Sequence, residues 1–513
     1  MKNNQFLKHG YGYPVALTAA FLAGILLRVY HLFLVGFTVP FNLGGLFHQM
    51  SIEIIKGHFM LPVWIPYYFK GGLPFAYPPL PFYIQALLIK VFHPHGFLME
   101  NLLPPLFSIL SLFLFYFLAR RGIQNRWGVL AAVLTFALLP IAFTEQIEAQ
   151  GLSESAGTCA LIFYTCTLLW AKDRQRWRYW IIPGLALGIC VLSSPGSIYA
   201  ALFISLLYLA FAIFDSARKR SFHPLLNCLT VGLVGLLVSA PYWAAVISHH
   251  GIGIFLYAFS AQNGGLLARL RSNLVNFQLL SASTFWNVLL YLSLIVLLIK
   301  KEFMLFLFSA ALLLVPRESW VMSIPASLAI GSAVYTFLCA SRVPTKKLRT
   351  IIQGVVILGL VILAVSSSIG ALKGLINGSV YDLSANQIED LRQVRQFNLI
   401  PANEPVIVVG NWGLIEWSPA LLEREVINNH FGLEWMPRYY SLNRELSEKL
   451  IKAKTADEME GWVRDIDADV QGVYLVADRE YLDQLNLHPE GVQSTFTLLQ
   501  QFQELGLGLV TFK

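Results

Sequence analysis

Acidic residues are scarce in the first part of this 513-residue chain. Residues 1–372 contain nine Asp and Glu against 25 Lys and Arg, whereas residues 373–513 contain 21 against 12. The body therefore carries a formal charge of +16 and the tail carries −9. Because a carboxylate is costly inside a bilayer, the few acidic residues of the body are the first candidates for chemistry.

Cysteine is also scarce, and none lies in the tail, so a disulfide framework is not expected there. The five cysteines fall in apolar segments, where we interpret them as small core residues; they are Cys159, Cys166, Cys190, Cys228 and Cys339. No Cys/His spacing typical of zinc, no P-loop and no dinucleotide fingerprint is present, which argues against a nucleotide cofactor. The negative charge of the tail argues against nucleic acid as a partner.

Long apolar runs are what the chain has in abundance, and its mean hydropathy is +0.59. A spanning helix needs roughly 20 apolar residues, and many segments approach that length. The sequence therefore predicts a mostly α, polytopic membrane helix bundle of about 11 spans. We place the spans near 14–36, 101–119, 127–143, 153–171, 180–194, 196–214, 224–247, 285–299, 302–316, 322–340 and 350–372.

Clusters of Lys and Arg set the predicted orientation, because cytoplasmic loops are enriched in these residues. The clusters lie at Lys2/Lys8, Arg120/Arg121/Arg126, Lys172/Arg174/Arg176/Arg178, Arg218/Lys219/Arg220, Lys300/Lys301 and Arg342/Lys346/Lys347/Arg349. They predict a multi-pass plasma-membrane protein with a cytoplasmic N-terminus and an extracytoplasmic tail. Segment 79–93 would break this alternation if it crossed. We therefore predict a re-entrant or interfacial helix there, within one external loop of about 37–100.

The acidic tail is predicted to be a small extracytoplasmic α/β domain over 396–513, joined by a linker over 373–395 to the membrane domain of 1–372. The stretches EPVIVVGNW, VQGVYLVAD and LGLVTFK have the apolar pattern of strands. The stretches SLNRELSEKLIKAKTADEMEGWVRD and REYLDQLNL have the amphipathic pattern of helices. Strands that alternate with helices favour a partly parallel sheet.

The body carboxylates separate by side of the membrane. Those predicted in cytoplasmic loops beside cations are Asp173, Asp215 and Glu302. Glu100 heads a span, where it can serve the helix N-terminus. Those predicted outside are Glu53, Glu145, Glu148, Glu154 and Glu318. Three of these fall within the short stretch TEQIEAQGLSES, which favours an acid/base site at the mouth of the bundle. The alternative is that they only solvate a loop.

The first external loop carries a second signal. GLFHQMSIEIIKGH is predicted to form a short amphipathic helix that bears His48, with Glu53 and Lys56 at its flanks. The following stretch is dense in Pro, Gly, Tyr, Phe and Trp, which suits an interfacial loop with aromatic anchors.

These features together resemble the GT-C superfamily of integral-membrane glycosyltransferases. The chain is most similar to the group of protein O-mannosyltransferases and aminoarabinose transferases, the dolichyl-phosphate-mannose-type group. The resemblance rests on the His48 helix, YPPLPFYI, FYFLARRGIQNRWGVLAA, the acidic second loop and SSPGS, and it covers roughly residues 10–250.

The resemblance implies transfer of a sugar from a polyprenyl-phosphate carrier to a glycan, lipid or protein acceptor on the outer face of the plasma membrane. A carboxylate base would take the acceptor proton, and cations or a divalent metal would hold the leaving phosphate. The candidates for the catalytic group are His48, Glu53, Glu145, Glu148 and Glu154. The candidates for phosphate binding are Lys70, Arg269 and Arg317, and no metal ligand is assigned.

The chain departs from the family at one place. An acidic residue typically precedes the loop histidine by about one helical turn, and here Gly44 and Gly45 stand before His48. The alternative to an enzyme is therefore a non-catalytic scaffold or transporter with the same frame, and a surface-polysaccharide polymerase or ligase is a third possibility. A transporter should carry paired mid-membrane breaks or charges, whereas Arg28 and His31 in the first span are isolated in the sequence.

Overall fold

The computed structural model describes residues 12–172, 174, 176–262, 284–302, 306–307, 309, 319–340, 346–377, 383–402, 404–453, 455–465, 470–487 and 495–512. Several predicted residues lie outside these ranges, namely Asp173, Arg269, Arg317 and Glu318.

The body is a bundle of α-helices, as its apolar runs predict. Six of the described helices are long and apolar enough to cross a membrane, and several shorter apolar helices pack among them. The body helices are α1 (Gly12–Val35), α2 (Gly45–Lys56), α3 (Leu80–Phe92), α4 (Leu98–Gly122), α5 (Arg126–Leu138), α6 (Leu152–Lys172), α7 (Ile181–Ser193), α8 (Pro195–Lys219), α9 (His223–His250), α10 (Gly253–Gln262), α11 (Thr284–Ile299), α12 (Ser323–Ala340) and α13 (Lys346–Asn377).

The predicted spans coincide with helices wherever the structure describes them, whereas most of the span placed at 302–316 lies outside the described residues. The predicted non-crossing segment 79–93 forms α3, which has 13 residues. At 1.5 Å per residue it is ~20 Å long, which is shorter than a hydrocarbon core of about 30 Å. That length is compatible with a re-entrant or interfacial helix, and the number of crossings remains a prediction.

Arg28 in α1 is fully buried, and it is not isolated as the sequence suggested. Its Nε donates to Ser108 Oγ of α4 at 2.9 Å, and its terminal nitrogens donate to carbonyl oxygens that include Ala137 and Ala142 at 3.2 Å. A buried charge is tolerated only where its donors are satisfied. Arg28 therefore fixes α1 against α4, α5 and the segment that follows α5.

The first external loop folds into α2, a short antiparallel hairpin and α3. The hairpin pairs β1 (Trp64–Ile65) with β2 (Leu73–Pro74). Pro79 precedes the first residue of α3 and Pro81 lies in its first turn, where the missing proline N–H costs no helical hydrogen bond. The loop thus holds α2 against α3, and α3 in turn packs against α4, α6 and α7.

The tail contains a four-stranded sheet covered by helices. Its helices are α14 (Ala385–Gln396), α15 (Trp412–Leu422), α16 (Pro437–Leu450), α17 (Ala456–Arg464) and α18 (Arg479–Leu487). Its strands are β3 (Val406–Val409), β4 (Gly472–Asp478), β5 (Thr495–Gln501) and β6 (Leu505–Thr511). The strand order is β3-β4-β6-β5, and β3 and β4 are parallel while the other two pairs are antiparallel. The partly parallel α/β tail is confirmed.

Three tail elements have no counterpart in the sequence interpretation: α14, α15 and β5. The predicted linker of 373–395 holds the end of α13 and most of α14. Helix α15 packs against α2 of the membrane domain and against α14. The tail therefore rests directly on the first external loop, and this contact builds the site described next.

Candidate functional site

The second external loop folds back on itself between α5 and α6. A Cβ atom at Gly151 would overlap the carbonyl oxygen of Glu145, so only glycine permits this turn. The loop is also joined to the first external loop, because Ala149 N donates to Phe41 O at 2.9 Å and Gln150 N donates to Leu43 O at 2.6 Å. The predicted acidic stretch is therefore a compact turn in a fixed position.

A cavity of about 510 Å³ lies where this turn, the first loop, the end of α13 and the tail meet. Its volume is in the range of ligand pockets in proteins. The residues that line it are Asn42, Leu43, Glu145, Glu148, Gln150, Glu154, Gly374, Leu375, Trp412, His430, Phe431 and Arg444. The lining is acidic and amide-bearing on the membrane-domain side and aromatic with one cation on the tail side.

The three glutamates predicted from TEQIEAQGLSES are brought together on this cavity. Glu148 is 5% exposed and accepts a hydrogen bond from Gln150 Nε2 at 2.7 Å. Glu154 lies in the first turn of α6, near the partial positive charge of the helix N-terminus. Several carboxylates beside a cavity supply the proton acceptors that a transfer to a hydroxyl group needs.

His48 lies on α2 and is not among the residues that line the cavity. It pairs with a carboxylate that the sequence analysis assigned to a helix terminus. His48 Nδ1 lies 2.6 Å from Glu100 Oε1, and Glu100 is 4% exposed. Gln85 Nε2 donates to the same Glu100 oxygen at 2.9 Å, and Ser51 Oγ donates to Gln85 Oε1 at 2.8 Å. This network fixes the orientation of the imidazole ring through Nδ1.

Glu416 of α15 occupies the N-terminus of α2. Its carboxylate accepts backbone N–H bonds from Gly44 at 3.0 Å, Gly45 at 2.7 Å and Leu46 at 2.8 Å, and its side chain is buried. These are N–H groups that a helix start leaves without partners. Burial raises the pKa of Glu416, and the three N–H groups act in the opposite direction. We call this arrangement the α2 clamp.

The α2 clamp explains why Gly44 and Gly45 have no side chain. A Cβ atom at Gly45 would lie 2.9 Å from Glu416 O, Trp417 Cα and Tyr68 Oη, and one at Gly44 would lie 2.6 Å from Ala149 Cβ. Real Cβ atoms do not approach other heavy atoms this closely. Where the family resemblance leads one to expect an acid, the second loop packs against Gly44 and the tail packs against Gly45, and the carboxylate at the helix start comes from Glu416.

Two of the other predicted residues, Glu53 and Lys70, are not among the residues that line the cavity. Glu53 accepts hydrogen bonds from Gln49 Nε2 at 2.9 Å and Lys56 Nζ at 2.8 Å, in a partly exposed ion pair on α2. Lys70 is exposed near the β1–β2 hairpin. Arg269 and Arg317 lie outside the described residues, so their phosphate-binding role stays a prediction.

The structure separates the two tail tryptophans that the sequence left undecided between fold and acceptor binding. Trp417 is fully buried, and its Nε1 donates to Asn42 O at 3.1 Å, so it anchors the tail to the first loop. Trp412 instead lines the cavity, with its ring 4.9 Å from that of His430.

Arg444 of α16 also lines the cavity and brings a cation to it. The sequence analysis missed this residue because it considered only the cations of the body.

The described residues contain no set of metal ligands, since no three of their His, Cys, Asp or Glu side chains are placed to share an ion.

The sequence analysis also missed the roles of Glu416 and Glu100. A signal for Glu416 was available, because it is the one charged residue of the apolar stretch WGLIEWSPALL, where a lone carboxylate predicts a satisfied buried group.

Comparisons with known proteins agree with this architecture. A family model described as dolichyl-phosphate-mannose-protein mannosyltransferase matches residues 76–244. No curated protein matches the chain.

Among solved structures, the chain is similar to the oligosaccharyltransferase AglB of Archaeoglobus fulgidus in complex with an inhibitory peptide and a dolichol-phosphate, at 14% identity and a TM-score of 0.61 over 97% of this chain and 74% of that one. The same enzyme tethered to an acceptor peptide gives 13% identity and a TM-score of 0.60 over 92% and 69%. ArnT of Cupriavidus metallidurans bound to undecaprenyl phosphate gives 13% identity and a TM-score of 0.57 over 98% of each chain.

The chain is therefore an integral membrane protein with the GT-C glycosyltransferase fold, and the resemblance predicted from the sequence is confirmed at the level of that superfamily. At these identities the likeness concerns the fold, and the donor and acceptor must be argued from this chain's own residues.

Proposed function

We propose that this protein transfers a sugar from a polyprenyl-phosphate carrier to an acceptor hydroxyl in the cavity between its membrane domain and its tail. The observation that carries the proposal is the convergence of Glu145, Glu148 and Glu154 on that cavity. The body contains nine carboxylates in all, and three of them line this one cavity.

The position of the cavity suits a donor anchored in lipid. Gly374 and Leu375, at the end of the candidate span Leu358–Ile376, form part of its wall. A carrier with its chain in the bilayer can therefore present its phosphate and sugar at this level. In two solved neighbours the bound carriers are dolichol-phosphate and undecaprenyl phosphate, and we extend this class of donor to the present chain.

The chemistry is a displacement at the anomeric carbon. One glutamate of the cavity accepts the proton of the acceptor hydroxyl, the acceptor oxygen bonds to the anomeric carbon, and the bond from that carbon to the phosphate oxygen breaks. The polyprenyl phosphate leaves with the electron pair. Arg444 is a cation of the described lining that can offset this charge. Lys70, Arg269 and Arg317, together with a divalent metal, remain further candidates for that task.

The location follows from the predicted topology. With the N-terminus in the cytoplasm, the second loop, the end of α13 and the tail lie together outside the plasma membrane. All three elements border one cavity, which supports a single external site.

The test is sugar transfer by purified protein in lipid, with a panel of polyprenyl-phosphate sugars and release of polyprenyl phosphate as the readout. Each of Glu145, Glu148 and Glu154 is replaced by Gln, and exposed Glu389→Gln in α14 is the matched control. General-base catalysis contributes typically 10²–10⁴-fold. We expect one cavity variant to lose about a hundredfold or more in turnover while Glu389→Gln retains wild-type turnover.

The competing function is the non-catalytic scaffold or transporter. Binding of the donor lipids without turnover by the wild type, under every donor tested, would favour that function. Turnover that survives all three cavity substitutions but disappears in His48→Gln or Glu53→Gln would move the base to the first loop.

A further inference from the structure

One wall of the cavity belongs entirely to the tail. It consists of Trp412, His430, Phe431 and Arg444, and we call it the tail face. Trp412 is the first residue of α15, Arg444 lies on α16, and the other two precede the short helical turn Leu433–Trp435. The proposed chemistry uses the glutamates of the opposite wall, so this aromatic surface still needs an explanation.

His430 has an unusual environment. Its side chain is 8% exposed, and within the described part of the chain its Nδ1 has no hydrogen-bond partner. Rings surround it, with centroids of Phe431 at 4.3 Å, Trp412 at 4.9 Å and Tyr440 at 5.9 Å. A buried polar atom without a partner is costly, and such atoms in native proteins call for a specific reason.

The chemistry of this imidazole selects its partner. Burial, together with the charge of Arg444, lowers the pKa of His430 to about 4. The ring is therefore neutral near pH 7, with one nitrogen as donor and the other as acceptor. A hydroxyl group can both donate and accept, so it satisfies Nδ1 in either tautomer, whereas a carboxylate or phosphate can only accept.

Trp412 supplies the complementary surface. Its indole is partly exposed at the cavity and meets the His430 ring edge to face at 82°. An aromatic face next to a fixed polar group suits a ligand that has an apolar face and a rim of hydroxyl groups. A pyranose ring has both features.

We propose that the tail face is a saccharide subsite for the acceptor, in which a sugar ring lies on Trp412 and one hydroxyl shares a hydrogen bond with His430 Nδ1, which is buried in this structure and is reached when the ring turns toward the cavity. The term acceptor rests on the proposed transfer reaction, whereas saccharide binding does not. A peptide that binds by strand addition needs a strand edge at the site, and no described strand contributes to the cavity lining. The tail face therefore favours a glycan or the sugar headgroup of a glycolipid over a peptide bound in that way.

The first experiment measures binding by calorimetry on the full-length protein in nanodiscs without donor. The probes are the methyl glycosides of glucose, mannose, galactose and N-acetylglucosamine, and a Ser/Thr-containing peptide. We expect at least one glycoside to bind and the peptide not to bind.

Matched substitutions then locate the contact. An Asn amide reaches the position of Nδ1 and a Gln amide the position of Nε2, so His430→Asn should bind within about threefold of wild type while His430→Gln binds about tenfold more weakly, the loss of about one hydrogen bond. Trp412→Ala should weaken binding at least about tenfold, and Trp412→Phe less, because part of the aromatic face remains. Unchanged thermal unfolding of these variants shows that the fold is intact.

A second readout separates this inference from the proposed function. If a donor is turned over, His430→Gln and Trp412→Ala should each raise the KM for the saccharide acceptor about tenfold or more, whereas exposed Glu389→Gln should leave that KM at its wild-type value. A wild type without donor turnover defeats the proposed function but leaves the binding result standing. Failure of every glycoside to bind, binding of the peptide instead, or wild-type binding by both His430→Gln and Trp412→Ala overturns the saccharide subsite.

Discussion

Two groups of carboxylates in this protein differ in what surrounds them. Glu416 and Glu100 are buried and bonded to backbone N–H groups or to a histidine and an amide. Glu145, Glu148 and Glu154 line a cavity large enough for a ligand, and of these Glu148 is also buried and accepts a hydrogen bond from Gln150. The first group holds the first external loop in place, and the second faces the space where a reaction can occur.

This difference shows that the presence of a glutamate does not by itself say whether the residue anchors a loop or takes part in chemistry. A glutamate that accepts three N–H bonds has its lone pairs occupied and its solvent excluded, so it serves as a structural anchor. A glutamate beside a cavity can exchange a proton with a ligand. The following substitutions test this comparison, from the largest expected effect to the smallest.

Gly45→Asp restores an acid near the start of α2 and should destabilise the protein most, by more than about 3 kcal/mol. Overpacking a tight site costs about 1–3 kcal/mol, and a second carboxylate next to Glu416 adds repulsion. The measurement is thermal unfolding in detergent together with protease sensitivity of the first loop. Gly45→Ala is the control for the steric part of this destabilisation. A Gly45→Asp protein that is as stable as the wild type and more active would contradict the anchoring role of Glu416.

Glu416→Ala leaves three N–H groups at the start of α2 without acceptors in a buried position. We expect a loss of roughly 3 kcal/mol in the free energy of unfolding, since each unsatisfied buried donor costs about 1–3 kcal/mol and the gap can admit water. Hydrogen exchange at Gly44, Gly45 and Leu46 should accelerate. Wild-type exchange at these amides would contradict the anchoring role, and exposed Glu389→Ala controls for loss of charge alone.

The low pKa of His430 predicts a pH-dependent stability. The unfolded chain binds a proton near the ordinary pKa of about 6.5, whereas the folded pKa is about 4. The stabilisation is thus present above pH 6.5 and is lost as the pH falls toward 4. Between pH 7 and pH 5 the wild type should lose roughly 2 kcal/mol more than His430→Asn does. Parallel thermal unfolding curves of the two proteins across this range would contradict the prediction.

Glu53→Gln should have the smallest effect, less than about 1 kcal/mol, because a partly exposed ion pair with Lys56 contributes little. The measurement is thermal unfolding at low and at high salt, with Lys56→Gln as the matched partner variant. A large loss of turnover without a loss of stability would instead make Glu53 a catalytic group. Catalysis would then not be confined to the carboxylates that line the cavity.

Much of the architecture could be predicted from local patterns. Apolar length predicted helices such as α1 and α4, and the stretch REYLDQLNL is α18 residue for residue. The clustering of Glu145, Glu148 and Glu154 in sequence also predicted their proximity, since ten residues with a tight glycine turn cannot separate them far.

The contacts between distant segments could not be predicted in this way. Glu416 meets Gly45 across 371 positions, and Glu100 meets His48 across 52. Nothing in either local sequence specifies its partner, because hydropathy and spacing report on one helix or strand at a time. Helix α15 was missed for the same reason, since its apolar residues face both its own sheet and α2.

The sequence by itself therefore determined the membrane-embedded helical body and the acidic α/β tail. Its few body carboxylates also limited the number of candidates for the catalytic group. Composition and periodicity suffice for these features, because burial in lipid or in a core follows from side-chain hydropathy alone. Only the tertiary structure decided which carboxylates are anchors, which face the cavity, and that Trp412, His430 and Arg444 complete its wall. Those roles depend on hydrogen bonds and exposure that arise when the tail packs onto the first loop.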